Sequence, residues 1–318
     1  MARPRDYLFR WVCVFIPTHS LRLQMRCLID RWFDKKVLTQ LRKDQQTLPS
    51  ISFPIKEYLA DPQNAACVTV LKGNMDETSS ENIDRYLERH QTGSWPFTSE
   101  ELKVWQEVHS TSVPYMFAPG CIWFPDVFVF HNGLTFLPPA TLKLIQEGTI
   151  IDGGAAAGDS AIMFADYKPR GIYAIEPVPS QLSALRTTLK LNSLSEAVTL
   201  VPLGLSNRSK EVVSIEEPKG HATQIETITI DDLVMDQKVS VIKLDIEGME
   251  LATIHGAKKT IVRDKPILLI SIYHTPEDFF EIKPLIESWN LGYYFMVRET
   301  EVCNSGAGVH LMLIGYVQ

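Results

Sequence analysis

The run Thr149-Ile150-Ile151-Asp152-Gly153-Gly154-Ala155-Ala156-Ala157-Gly158-Asp159-Ser160 carries an apolar strand into a helix through residues almost without side chains. Glycine and alanine there let a ligand press against bare backbone. The first amides of the following helix face that ligand. Such a loop holds a nucleotide-like cofactor. A dinucleotide loop reads G-x-G-x-x-G and keeps its helix start open to a pyrophosphate. Here Asp152 stands ahead of the glycines and Asp159 at the helix start, so two carboxylates repel an anion. They suit a ligand with an ammonium or sulfonium, such as S-adenosylmethionine, whose ammonium Asp152 or Asp159 would hold directly or through water. Asp152, Gly153, Gly154, Gly158, Asp159 and Ser160 are therefore the candidate cofactor residues of the loop.

Three further clusters fit this site. In Ile172-Tyr173-Ala174-Ile175-Glu176-Pro177, Glu176 closes a second strand some twenty residues on, where an acid accepts both ribose hydroxyls. That acid serves NAD enzymes equally well. In Lys243-Leu244-Asp245-Ile246-Glu247-Gly248-Met249-Glu250, Asp245 ends a strand beside the expected cofactor. It is a candidate for contacting the cofactor and for orienting or deprotonating an acceptor hydroxyl. The acids of this cluster could also take Mg²⁺, which prefers oxygen ligands. Glu247 and Glu250, in a first helical turn, are explained equally by the helix macrodipole. No metal is expected. In Ser271-Ile272-Tyr273-His274-Thr275-Pro276-Glu277-Asp278, His274 follows a buried strand, where an imidazole could serve as general base at neutral pH. Glu277 or Asp278 either orients it or caps the next helix. His131, His221 and His310 are weaker candidates.

The elements that position these residues alternate. From Gly148 onward the pattern predicts strands at 149–152, 172–177, 198–203, 239–245 and 266–272, with helices at 181–191, 251–260 and 281–289. Val212–Ile215 and Thr227–Ile230 suggest a small hairpin insert, and Tyr293–Val297 and Val309–Gly315 an antiparallel closing pair. Alternation of this kind implies an α/β, Rossmann-like, doubly wound and mostly parallel sheet with helices on both faces. The four clusters then fall at strand carboxyl ends, where open sheets bind ligands. Upstream, helical spacing marks 55–59 and 81–87, and Thr98-Ser99-Glu100-Glu101 is a capping box before a helix through Val108. Cys121–Phe124 and Val127–Phe130 read as two short strands before an Asn132-Gly133 turn, and Pro138-Pro139 opens a short helix. Residues 1–115 are expected to form a mainly helical N-terminal region, and 116–318 the cofactor-binding domain. Trp95 and Trp105 either line an acceptor groove or fill core.

The 318 residues are 45% apolar and 22% charged, an ordinary globular composition. A net charge of −7 argues against general nucleic-acid binding. Residues 1–43 nonetheless hold ten Lys/Arg and three Asp. Their apolar stretch Leu8–Pro17 is too short to span a bilayer, which needs about 20 residues. Continued arginines and the lack of a small-residue cleavage site disfavour a signal peptide. Trp and Phe among basic residues suit peripheral contact with an anionic membrane surface, and equally a helix packed on its own protein. Five scattered cysteines without C-x-x-C spacing suggest reduced thiols in a cytoplasm.

Taken in order, Asp152-Gly153-Gly154…Gly158-Asp159-Ser160, Ile175-Glu176-Pro177, Thr229-Ile230-Asp231-Asp232-Leu233, Lys243 through Glu250 and Ile272-Tyr273-His274 resemble the FkbM family of S-adenosylmethionine-dependent methyltransferases. The resemblance spans roughly residues 127–298. Its glycine loop is generic to methyltransferases, whereas the Asp-x-Glu-Gly-x-Glu block with the Tyr-His strand end is more specific. It implies a class I methyltransferase fold and O-methylation of a hydroxyl on a sugar, glycan or other secondary metabolite. Phe15-Ile16-Pro17 with Leu21-Arg22 is also similar to segments on enzymes of bacterial surface-polysaccharide assembly. The chain departs from the family after Phe295, reading Met296-Val297-Arg298-Glu299-Thr300 in place of a Leu-Arg-His-Tyr stretch. Two other readings stay open: a catalytically silent cofactor-binding module, and an NAD-dependent oxidoreductase.

Overall fold

The computed structural model describes residues 55–92, 98–121, 123–217, 221–302 and 309–318. The basic segment 1–43, Trp95, Cys13, Cys27 and Cys303 lie outside them. Four helices come first: α1 (Ile55–Ala60), α2 (Cys67–Lys72), α3 (Glu77–Thr92) and α4 (Ser99–Ser110). The expected capping box forms at α4. Thr98 Oγ1 accepts the Glu101 amide at 3.1 Å, and Glu101 Oε2 accepts the Thr98 amide at 2.7 Å. Helices α5 (Val127–Phe130) and α6 (Pro139–Lys143) follow, and then the alternating part.

That part contains β1 (Thr149–Gly153), α7 (Asp159–Ala165), β2 (Gly171–Ile175), α8 (Pro179–Leu191), β3 (Val198–Val201) and β4 (Gly204–Leu205). It continues with β5 (Val212–Glu217), β6 (His221–Ile228), α9 (Ile230–Val234), β7 (Val239–Leu244), α10 (Glu250–Gly256) and α11 (Lys258–Asp264). It ends with β8 (Ile267–Ser271), α12 (Pro276–Glu287), β9 (Tyr294–Val302) and β10 (Val309–Tyr316). The main sheet has the order β3-β2-β1-β7-β8-β10-β9. β1, β2, β3, β7 and β8 run parallel, and β10 pairs antiparallel with both β8 and β9. β1, β7 and β8 are buried at every residue, as strands covered on both faces must be. The chain winds outward from β1 to β3 on one side and from β7 to β8 on the other. Strand order therefore reverses between β1 and β7, and a crevice opens at their carboxyl ends. Asp152 and Asp245 stand on either side of it.

The N-terminal helices share the core. Ile55, Leu71, Ile83, Tyr86 and Leu87 pack in one apolar cluster with Phe279, Phe280 and Val297. Helix α3 also shields the sheet edge. Val297 of β9 donates its amide to Ser79 Oγ at 2.9 Å, and its carbonyl accepts from Asn82 Nδ2 at 3.1 Å. An edge strand covered in this way offers no free ladder to another chain. No helix among the described residues is long and apolar enough to cross a membrane.

Some local expectations fail. Val127–Phe130 is a helical turn, not a strand: the Val129 and Phe130 amides both return to the Asp126 carbonyl, at 3.0 and 2.8 Å. His131, Asn132 and Gly133 then take positive φ, which ends any extended run. No strand forms at Cys121, Trp123 or Phe124 either. The helix expected over 251–260 is two helices, α10 and α11, joined at Ala257. There Gly256 lies so close to Ser206 that a Cβ would stand 2.3 Å from its carbonyl oxygen. The closing antiparallel pair forms as expected, as β9/β10, whereas the hairpin insert pairs β5 with residues 221–226 and not with 227–230, whose end caps and opens α9.

Candidate active site

The loop between β1 and α7 is held from both sides. The Gly154 and Ala155 amides converge on the Ile175 carbonyl of β2, at 3.0 and 3.1 Å. On the other side, Lys243 Nζ donates to the carbonyls of Gly153 and Gly154, at 3.0 and 2.8 Å. Gly154 has φ +73°, and a Cβ there would sit 1.9 Å from the Asp245 carbonyl oxygen. No side chain fits between the ends of β1 and β7, which accounts for the glycine.

The acids of the loop serve the fold. Asp152 is fully buried, accepting from Ser160 Oγ at 2.7 Å and lying 3.3 Å from the Lys243 ammonium. Asp159 is also buried and accepts the Phe124 amide at 2.9 Å and the Ser160 amide at 2.9 Å. Burial pushes Asp159 up to about 6. The two acids expected to hold a ligand's ammonium face protein groups here, and neither opens to solvent. Both are spent on the lysine, the serine and the chain around Phe124.

Glu176 remains at the end of β2. It accepts the Ala156 amide at 3.0 Å and the Val178 amide at 2.8 Å, one on each oxygen. Each oxygen keeps a second acceptor site for a ligand hydroxyl. Burial raises its pKa, only partly offset by the two amides.

Across the crevice, the ends of β7 and β8 meet. Asp245 is about one-third exposed and is fixed by neighbours rather than by burial. Tyr273 donates its hydroxyl to Asp245 Oδ1 at 2.9 Å, and His274 Nε2 lies 3.4 Å from the same oxygen. Desolvation alone would raise Asp245, but Lys243 and His274 outweigh it and hold the carboxyl below its ordinary value. The Tyr273 ring stacks on His310 at 4.0 Å between centroids and leans on His274 at 4.1 Å. Beneath them, Glu250 is fully buried and closes the turn: Oε1 accepts the Ile246 amide at 2.7 Å and Oε2 the Gly248 amide at 2.9 Å.

His274 Nδ1 lies 2.9 Å from Glu250 Oε1, an ion pair rather than an aligned hydrogen bond. Glu247 Oε2 stands 3.7 Å from Nε2. Burial opposes the imidazolium, yet the three carboxylates raise His274 to about 9, so it is charged at neutral pH. Asp245, Glu250 and His274 bring ligand-type atoms within 4.8 Å of one another. Glu250 already receives two amides, and the imidazolium offsets only part of the negative charge of the three acids that face it. Thr275 caps α12, its Oγ1 accepting the Asp278 amide at 3.1 Å and donating to Asp278 Oδ2 at 2.6 Å, while Asp278 Oδ1 takes the Leu251 amide at 2.9 Å. The fold brings Asp152, Gly153, Gly154, Gly158, Asp159, Ser160, Glu176, Asp245 and His274 around one crevice.

Among the weaker histidines, His131 pairs with the Tyr167 hydroxyl at 2.6 Å away from it, and His310 joins it through Tyr273. Sequence reasoning missed the roles of Lys243, Tyr273 and Glu250. A lysine inside an otherwise uncharged and mostly apolar strand was the available signal.

Residues 152–295 match the family model described as Methyltransferase FkbM domain. Among solved structures, the methyltransferase FkbM of Methylobacillus flagellatus KT superposes with a TM-score of 0.57 at 22% identity, over 80% of this chain and 59% of that one. The chain thus spans under two-thirds of that protein's length, and the likeness is one of fold. An O-methyltransferase of Bacillus cereus, solved in complex with SAH, gives a TM-score of 0.40 at 13% identity, over 74% of this chain and 97% of that one. No curated protein sequence matches the chain.

Proposed function

We propose, from the premise that residues 152–295 form an FkbM methyltransferase domain, that the chain transfers a methyl group from S-adenosylmethionine to a hydroxyl. The observation that carries this reading is the acid-lined crevice at the β1/β7 reversal. Glu176, buried at the end of β2, and the part-exposed Asp245 supply its carboxylates, while Lys243 of β7 is buried beneath the loop. That polarity suits a cationic cofactor and opposes a pyrophosphate. The resemblance of the motif series to its family supports a sugar, glycan or other secondary-metabolite hydroxyl as acceptor.

When bound, S-adenosylmethionine supplies an electrophilic methyl on a sulfonium. Glu176 accepts the ribose hydroxyls, and the tethered glycine loop supplies the surface against which the cofactor lies. Asp245 would accept the hydrogen bond of the acceptor's hydroxyl and take its proton as the methyl's bond to sulfur breaks and its bond to the acceptor oxygen forms. Its lowered pKa keeps it ionised at neutral pH, so its contribution is alignment together with a proton sink. Tyr273 and His274 both contact Asp245 Oδ1 and leave Oδ2 for the acceptor. His274, charged in its carboxylate setting, is a positioning residue here, and Asp245 takes the base role that the sequence offered to both. The helical region up to residue 115 reaches this corner through Tyr86, whose hydroxyl donates to the Tyr273 carbonyl at 3.3 Å. We assign that region to the acceptor side.

The test is incubation of the full chain with methyl-labelled S-adenosylmethionine and a panel of free and lipid-linked glycans. Label in an alkali-stable ether supports O-methylation. Label only in alkali-labile esters or in amines would overturn it.

A further inference from the structure

Strand β7 is buried along all six residues, and its fifth is Lys243. An ammonium is tolerated there only if every donor is paired. Nζ has three protons and three partners: the Gly153 carbonyl at 3.0 Å, the Gly154 carbonyl at 2.8 Å and Asp152 Oδ1 at 3.3 Å. Apart from the Lys243 ion pair, Asp152 Oδ1 has no partner, so the lysine is its sole compensation. A methionine would fill the same space without any of these demands. The lysine is therefore placed to hold the loop, not to pack the sheet.

We propose that Lys243 is a positioning residue for the amino-acid end of the cofactor. The inference rests on the S-adenosylmethionine reading above. By drawing two successive carbonyls inward while Ile175 holds the two following amides, Lys243 fixes the peptide planes on both sides of Gly154. Those planes face the crevice between β1 and β7. The ribose side of the site is marked by Glu176, which reaches the loop farther along, at Ala156 on the β2 flank. The remaining end of the cofactor falls on the opposite flank, beside Lys243 and Asp245. Neutralising Asp152 from below also removes a buried negative charge that would otherwise compete with the ligand's own carboxylate.

The test compares two ligands by calorimetry. S-adenosylhomocysteine carries the amino-acid end, and 5′-methylthioadenosine shares its adenosine and sulfur but lacks that end. The variants are Lys243→Met and the charge-balanced pair Lys243→Met/Asp152→Asn, each checked for folding by circular dichroism. Wild type is expected to bind both ligands. The folded variant should lose roughly tenfold or more in S-adenosylhomocysteine affinity, as expected for lost charged hydrogen bonds, with 5′-methylthioadenosine unchanged. Equal weakening of both ligands, or no weakening of either, would overturn the proposal. So would failure of both variants to fold, because the lysine would then serve only the core. Wild type binding neither ligand would instead strike the cofactor reading on which the proposal depends.

Discussion

Replacing His274 by glutamine should remove a pH-dependent share of the protein's stability. His274 is 9% exposed and sits among Glu250 at 2.9 Å, Asp245 at 3.4 Å and Glu247 at 3.7 Å. Asp278 adds a further acid behind Glu250. These neighbours raise the imidazole from 6.5 to about 9 against the opposing effect of burial. Because the folded value lies above the unfolded one, the contribution is whole below pH 6.5 and is lost as pH rises through 9. At about 1.4 kcal/mol per pH unit, it amounts to about 3 kcal/mol. The assay is urea denaturation of wild type and His274→Gln between pH 6 and 10. The stability difference between them should be about 3 kcal/mol near pH 6 and shrink toward zero above pH 9. Taking the difference cancels groups that do not interact with His274, including Cys67 and Cys121, whose thiols burial raises. Parallel curves across the whole range would refute the charged-imidazole account and return His274 to the role of a neutral base.

Asp245→Asn should lower turnover by about a hundredfold or more, well beyond any loss of S-adenosylhomocysteine affinity read by calorimetry. Gly154→Ala should cost about 3 kcal/mol or more in urea melts, since its Cβ would meet the Asp245 carbonyl oxygen at 1.9 Å and φ is +73°. Arg89→Met strands the buried Glu101, which Arg89 meets at 2.6 and 2.8 Å, and should destabilise by about 3–5 kcal/mol. A double variant that also carries Glu101→Gln should recover most of that loss.

Much of the scaffold was legible because its signals are local or periodic. Continuous apolar runs such as 267–270 mark strands covered on both faces, and their alternation with helices placed the four clusters at one sheet edge. The Thr98–Glu101 capping box is likewise read within one turn. What failed depends on contacts far apart in sequence. The Val-Phe-Val-Phe alternation at 127–130 favours a strand, but no sheet edge receives it, and Asp126 starts a turn instead. Asp152 and Asp159 read as ligand-facing acids. Their partners, Lys243 ninety-one positions on and Phe124 thirty-five back, are invisible until the chain folds. The same distance hid the imidazolium: His274 is separated from Glu250 by twenty-four positions and by the whole of α10, α11 and β8.

The central claim is that the crevice between β1 and β7 takes a cationic adenosyl cofactor. Titration of the purified full chain with S-adenosylmethionine, S-adenosylhomocysteine and NAD by calorimetry tests it most directly. Saturable binding of the first two, abolished or strongly weakened by Glu176→Ala, with no heat from NAD, is the expected result. Binding of NAD alone, or of none of the three by a folded protein, would contradict it.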